Sequence, residues 1–170
     1  MGITMPDTIF ALSSGALPSG VAIIRLSGVL AKQVARQMTG LSSFGPKLVL
    51  SDICDPQTNT VLDRGLVCGF TGPHSYTGED VIELHCHGGR ATVSAILTCL
   101  GDQLGCRLAQ AGEFSKRAFE NGKMDLTALE GLSDLIAAET EGQRIQALRQ
   151  SGGDLRTLYD GWRSQLIRCR

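Results

Sequence analysis

The sequence lacks an excess of either charge and lacks long apolar runs. Its 170 residues include 16 Lys and Arg against 17 Asp and Glu, a formal net charge of −1. This balance excludes a protein coated uniformly with basic residues for nucleic acid, although a local contact is not excluded. No apolar run approaches the roughly 20 residues that span a bilayer. No basic residue precedes Arg25, so a signal peptide's charged segment is missing and we expect a cytoplasmic protein.

The sequence also lacks paired cysteine motifs. None of its six cysteines forms a Cys-x-x-Cys pair, which excludes zinc ribbons and thioredoxin-like redox sites. Several lie inside apolar runs, where a free cysteine behaves as a small apolar residue. This usage is typical of a reducing compartment and agrees with the cytoplasmic expectation.

A phosphate-binding P-loop is absent as well. The segment from Gly40 to Lys47 has a superficial likeness to one, but a P-loop needs Gly, Lys and Ser or Thr in direct succession. Pro46 interrupts that succession and removes a backbone N–H donor, and Leu48 stands where the hydroxyl residue is needed. We therefore expect no binding of GTP or ATP by this device.

Hydrophobic periodicity predicts an α+β domain over residues 1–123 and a helical segment over residues 124–170. The predicted strands are Val21–Ser27, Leu48–Leu50, Val61–Phe70, Val81–Cys86 and Cys106–Ala109. The predicted helices carry Leu30 to Met38, Val93 to Leu100, Glu113 to Asn121, Leu126 to about Gln150, and Asp154 to Arg170. The last helix has an apolar stripe containing Trp162, which we expect to pack against another helix or a dimer partner.

Three charged residues are candidates for a binding site. Arg25 and Glu83 each lie in the middle of a strand whose alternate residues are apolar. Such residues are commonly just solvated, but the two strands can also present opposite charges to one concave surface. A carboxylate accepts hydrogen bonds from an amino-substituted heterocycle, and a guanidinium holds a carboxylate. Lys123 lies at the junction of the two parts, where ligands often bind. A Lys at the end of a helix can also simply offset the partial negative charge of the helix C-terminus.

The string Glu83-x-His85-x-His87 offers an alternative. Alternate positions of a strand point the same way, so these three side chains could serve as metal ligands in a metal-dependent enzyme. No fourth ligand has the spacing to complete the set, and ordinary polar residues on a half-exposed strand would give the same pattern. This remains the second hypothesis, and our principal expectation includes no metal ligand and no catalytic residue.

Several longer strings, taken in order, resemble the N-terminal portion of the tRNA-modification GTPase family MnmE, also called TrmE. The resemblance covers nearly the whole chain, and its most specific strings are Gly-Pro-His-Ser-Tyr-Thr-Gly-Glu-Asp and Gly-Glu-Phe-Ser-Lys-Arg-Ala-Phe. The strings occupy Asp7–Ile9, Gly20–Gly28, Gly72–Asp80, His87–Gly89, Ala111–Phe119 and Asn121–Leu126.

This resemblance implies a small mixed-sheet domain, similar to the folate-binding domain of aminomethyltransferases, followed by the first helices of a helical domain. The first domain would mediate homodimerisation and bind 5-formyltetrahydrofolate or a related tetrahydrofolate. The family's folate-contacting positions match Arg25, Glu83 and Lys123, with Glu83 toward the pterin and the two cations toward more acidic or formyl-bearing parts. A third hypothesis keeps the assembly role without a ligand.

The resemblance also implies a role in modifying C5 of the wobble uridine U34 of tRNA, together with an FAD-dependent partner of the MnmG type. The family's G domain, which uses GTP with Mg²⁺ and K⁺, has no counterpart in these 170 residues, and neither has its C-terminal Cys motif, which Cys169 does not match. We therefore expect no GTPase activity from this chain alone, and whether it is itself an enzyme stays open.

Overall fold

The computed structural model describes residues 7–152 and, beyond them, residues 162, 165, 167 and 168. The chain divides into two compact units, Met1–Arg117 and Ala118–Arg170, here termed the sheet unit and the helical unit. The boundary predicted after residue 123 stays a prediction. Most of the predicted helix 154–170 lies outside the described residues. Trp162 itself is described and is 53% exposed, and the packing predicted for its apolar stripe stays a prediction.

The sheet unit is built on one mixed sheet of six strands. Its strands are β1 (Ile9–Leu12), β2 (Ser19–Ser27), β3 (Val49–Cys54), β4 (Val61–Phe70), β5 (Val81–Gly88) and β6 (Arg107–Leu108). Their order across the sheet is β3-β4-β5-β2-β1-β6. All neighbouring pairs are antiparallel except β1 and β6, which are parallel. The predicted α+β class is confirmed at this level.

Five α-helices complete the described residues: α1 (Ala31–Thr39), α2 (Arg90–Thr98), α3 (Glu113–Glu120), α4 (Leu126–Ala137) and α5 (Glu141–Ser151). A π-helical turn, Cys99–Gln103, continues α2. Helix α1 ends at Gly40, whose φ of 69° is a left-handed conformation that glycine adopts without strain. Among the described residues, no helix has the length and apolar character needed to cross a membrane.

The hydrophobic core lies between one face of the sheet and helices α1 and α2. Strand alternation sends Ile24 of β2 and Leu84 of β5 into this core, where both are completely buried, together with Ile96 of α2. Each such side chain contributes about 1.5–3 kcal/mol when it is fully removed from water. The same alternation places Arg25 and Glu83 on the opposite face of the sheet, which we term the outer face.

Two local predictions were incomplete. The single helix predicted from Leu126 to about Gln150 is wrong, because the chain breaks between α4 and α5. The Thr140 hydroxyl accepts a hydrogen bond from the backbone N–H of Gln143, and the Gln143 side-chain oxygen accepts one from the backbone N–H of Thr140, so this capping box starts a new helix. Strand β1 was not predicted at all.

Candidate functional site

Arg25 and Glu83 form an ion pair on the outer face. They lie directly opposite each other in the antiparallel register of β2 and β5, which brings their side chains together. Both Nε and Nη2 of Arg25 lie 2.9 Å from Oε1 of Glu83. The side chains are 28% and 15% exposed, so the pair is shielded from bulk water while remaining accessible. Arg25 and Glu83 therefore meet on the outer face, and their role in ligand binding stays a prediction.

Two aromatic rings flank the Arg25 guanidinium. Its central carbon lies 5.5 Å from the ring centroid of Tyr76 and 5.8 Å from that of Phe114, within the range of a cation–π contact. The Tyr76 hydroxyl lies 2.9 Å from the Ser115 hydroxyl, so the ring is itself held in place. These contacts fix the plane of the guanidinium, and sequence reasoning assigned no role to either ring.

The second oxygen of Glu83 faces a different group. Oε2 lies 3.3 Å from Nε2 of His85, which is two residues further along the same face of β5. Cys68 of β4 lies opposite Glu83 in the β4–β5 register and is 4% exposed. Burial, and next the negative charge of Glu83, raise the pKa of the Cys68 thiol above its ordinary value. The outer face thus carries a thiol, a carboxylate and an imidazole side by side.

His87 does not join this group. Its ring Nδ1 lies 2.8 Å from Oδ1 of Asp63, its backbone N–H donates to Oδ2 of Asp63 at 2.7 Å, and its side chain is 74% exposed. Although burial opposes it, hydrogen bonding from His87 holds the pKa of the Asp63 carboxyl below its ordinary value. The predicted trio of Glu83, His85 and His87 therefore does not converge, and Cys68 occupies the place that His87 was expected to take.

Lys123 belongs to the helical unit and is exposed. It lies three residues after the end of α3, and its backbone N–H donates to the carbonyl of Ala118 at 2.8 Å. Its predicted role in ligand binding stays a prediction.

A buried arginine connects four segments of the sheet unit. Arg117 of α3 is 8% exposed. Its Nη1 donates to the backbone carbonyl of Asp7 at 2.8 Å and to Oε2 of Glu79 at 2.9 Å, and its Nη2 donates to Oδ1 of Asp7 at 2.7 Å. Glu79 also accepts a hydrogen bond from the Ser27 hydroxyl at 2.7 Å. Sequence reasoning quoted the strings that contain these residues but did not predict that they meet.

This network fixes the loop that carries Tyr76. The end of the loop of residues 71–80 is held by Glu79, which accepts hydrogen bonds from Arg117 and Ser27. The neighbouring Asp80 carboxylate accepts hydrogen bonds from Lys32 at 2.8 Å and from the Gly72 backbone at 3.1 Å, which joins the two ends of the loop. Thr77 is completely buried, with its hydroxyl 2.7 Å from that of Ser27. The loop is therefore tied to Ser27 of β2 directly after Tyr76, which helps to keep the ring against Arg25.

A shallow depression of about 260 Å³ lies on the outer face next to His85. Its lining includes His85 together with Val21, Leu50 and Leu66, which are 56%, 58% and 37% exposed. A polar group at the edge of an apolar depression is an arrangement typical of small-molecule sites and of protein contacts.

Comparison with known proteins identifies relatives of the chain. The family model described as "GTP-binding protein TrmE N-terminus" matches residues 8–123. The chain is similar to a tRNA modification GTPase MnmE of Parvibaculum lavamentivorans, with 54% identity over 164 residues, which are 96% of this chain and 37% of that protein. It is also similar to the protein of the same name from Brucella anthropi, with 52% identity over 167 residues, which are 98% of this chain and 38% of that protein.

The chain thus spans little more than a third of the length of these curated relatives. The family model covers the whole sheet of the sheet unit, from β1 to β6, and includes Arg25, Glu83 and Lys123. With a family match over most of its residues and more than half of its positions identical to these relatives, the chain belongs to the MnmE (TrmE) family.

Proposed function

We propose that the chain binds a reduced folate of the 5-formyltetrahydrofolate type on the outer face of its sheet, and that it does so for tRNA modification. The observation that supports this most is the half-buried pair of Arg25 and Glu83, because it offers an oriented carboxylate and a planar cation at one place. Membership of the MnmE family supports the link to tRNA, since the relatives are named tRNA modification GTPases.

The chemistry of a pterin fits this pair. A pterin ring carries an amino group and a ring N–H on one edge, and a carboxylate is an acceptor for both. Glu83 would accept these hydrogen bonds, and Arg25 would meet the formyl-bearing or acidic part of the ligand through charge-assisted hydrogen bonds. Because Tyr76 and Phe114 already hold the guanidinium, less side-chain freedom is lost on binding. Lys123 is proposed to meet the acidic part of the same ligand.

Homodimerisation is part of the proposal. Val21, Leu50 and Leu66 leave apolar surface exposed on the outer face, and such a patch is more stable when a second protein surface covers it. If the chain dimerises but binds no folate, it acts in assembly alone, which is the second candidate function and rests on the same exposed residues.

The wider activity is proposed from the family. In a complete MnmE protein, GTP with Mg²⁺ and K⁺ would act in the G domain, and an FAD-dependent MnmG-type partner would join in modifying C5 of U34 in tRNA. The chain contributes folate binding and dimerisation to this reaction. The five cysteines that lie among the described residues are all free thiols, which favours the reducing environment of the cytoplasm.

Calorimetric titration of 5-formyltetrahydrofolate tests the folate site. We expect Glu83→Ala to lower the affinity by about 10- to 100-fold, which corresponds to the loss of about 1.5–3 kcal/mol from hydrogen bonds to a charged group. The matched control is Asp52→Ala. Asp52 also lies opposite an arginine on a neighbouring strand, with its Oδ1 3.5 Å from Nε of Arg64, but its side chain is 53% exposed. Full affinity in Glu83→Ala, or equal losses in both variants, would contradict the assignment. Light scattering on the same samples reports dimerisation separately.

A further inference from the structure

Strand register brings three metal-ligating side chains together on the outer face. Cys68 lies opposite Glu83 in the β4–β5 pair, and His85 follows Glu83 by two residues, so all three project from the same face. The Cys68 Sγ, a Glu83 carboxylate oxygen and a ring nitrogen of His85 all lie within 4.8 Å of one another. The Oε2 atom of Glu83 and the Nε2 atom of His85 are 3.3 Å apart.

These separations are close to those of a tetrahedral zinc site. Zinc bonds to nitrogen, oxygen and sulfur are about 2.0–2.3 Å long, which places neighbouring ligand atoms roughly 3.3–3.8 Å from one another. The Glu83 and His85 atoms already have this spacing. The Cys68 sulfur must approach by at most about 1.5 Å, which rotation of its side chain and those of its neighbours can provide while the strands stay in register.

Two further observations favour an ion here. Nε and Nη2 of Arg25 both contact Oε1 of Glu83, which leaves Oε2 directed toward His85. Residues outside the ligand set commonly orient a metal ligand in this way, by hydrogen bonding to it. Among the described residues, no hydrogen bond reaches the Cys68 thiol, whereas the buried thiols of Cys86 and Cys106 donate to backbone carbonyls at 3.5 and 3.8 Å. Cys68 is thus a buried sulfur that faces the carboxylate and the imidazole.

We propose that Cys68, Glu83 and His85 form a Zn²⁺ site with three protein ligands and a water molecule in the fourth position. One thiolate, one imidazole and one carboxylate form a donor set suited to Zn²⁺, whereas Mg²⁺ and Ca²⁺ prefer oxygen ligands alone. As the zinc–sulfur bond forms, the Cys68 thiol releases its proton to water. The proposal does not depend on folate binding, although an ion on Oε2 would compete with a pterin for Glu83.

Titration of the 170-residue chain with Co²⁺ and then Zn²⁺, without folate, tests the site. We expect one equivalent of Co²⁺ to give tetrahedral d–d bands and a thiolate-to-cobalt charge-transfer band, and one equivalent of Zn²⁺ to remove both. His85→Gln should weaken zinc binding at least 10-fold, measured against a chromophoric chelator, because His85 supplies one of three ligands. Cys68→Ser should abolish the charge-transfer band.

The chain supplies a matched control for each variant. His87→Gln changes a histidine of the same strand that bonds to Asp63, and Cys54→Ser changes a cysteine outside the cluster, so both should bind cobalt and zinc as the parent chain does. His85 is partly exposed, so its variant tests the site even if Cys68→Ser does not fold. Absence of stoichiometric binding, or an equal loss in His87→Gln and His85→Gln, would overturn the proposal.

Discussion

Removing the Arg117 side chain should destabilise the sheet unit strongly, because this cation is the meeting point of separate segments. The change to Ala takes away the donors to the Asp7 carbonyl and to Glu79, which lie at 2.8 and 2.9 Å. It leaves the Glu79 carboxylate, whose side chain is 19% exposed, without its cationic partner. Breaking a buried ion pair in this way costs about 3–5 kcal/mol.

The lower end of that range applies here. Asp7, a second acidic partner of Arg117, is 51% exposed, and water can solvate its carboxylate after the change. We therefore expect Arg117→Ala to lower the free energy of unfolding by about 3 kcal/mol. With a urea dependence of about 2 kcal/mol per molar, the unfolding midpoint falls by roughly 1.5 M. Arg117→Lys keeps the charge but not the planar fork, so its loss should be intermediate.

Urea unfolding followed by circular dichroism measures this effect. Arg64→Ala is the control, since Arg64 is 70% exposed and lies 3.5 Å from its partner Asp52, and its change should stay within about 0.5 kcal/mol. If the urea midpoints of Arg117→Ala and Arg64→Ala agree, then the network around Arg117 does not stabilise the fold.

Two further changes test the strands around the site. In the folded protein the pKa of Asp63 is lowered, so its contribution to stability is present above the ordinary carboxyl pKa of about 4 and is lost as the pH falls through the folded value. In urea unfolding, Asp63→Asn should therefore lower the free energy of unfolding by about 1–2 kcal/mol at pH 7, and by progressively less toward pH 3. A loss of stability that does not change with pH would contradict the role of the hydrogen bonds from His87. Gly65→Ala should cost about 2 kcal/mol or more in the same assay, because a Cβ at this position would overlap the His85 carbonyl oxygen. Gly20→Ala meets no atom within 4 Å, so equal stabilities of these two glycine variants would show that the close approach is not structurally important.

The fold was predictable where the pattern is local. The alternation of apolar and polar residues in β2 and β5 identified both strands. It also identified the face of each strand that carries the charged residue, because this alternation is a property of the strand's own sequence. Strand β1 has only four residues, Ile-Phe-Ala-Leu, which show no alternation, and its pairing with β2 and β6 stabilises it instead. The break before α5 did leave a local signal, since Thr140 and Gln143 have the spacing of a capping box.

The site was predictable only in part, because its members come from distant parts of the chain. Arg25 and Glu83 are 58 residues apart, and their pairing depends on the register of β2 against β5, which no local pattern specifies. The contact of Cys68 with Glu83 also depends on strand register, here that of β4 against β5, and the contact of Tyr76 with Arg25 depends on the conformation of a loop, so neither could be predicted from local patterns. His87 was placed on the correct strand, but its partner Asp63 lies on β4 and could not be inferred from spacing.

A crystal structure of the chain grown with 5-formyltetrahydrofolate would show whether the ligand binds at the pair of Arg25 and Glu83. We expect density for the pterin on the outer face, with its amino edge against the Glu83 carboxylate and with Arg25 still held between Tyr76 and Phe114. Folate bound away from this pair, or an empty outer face at saturating ligand, would contradict this expectation.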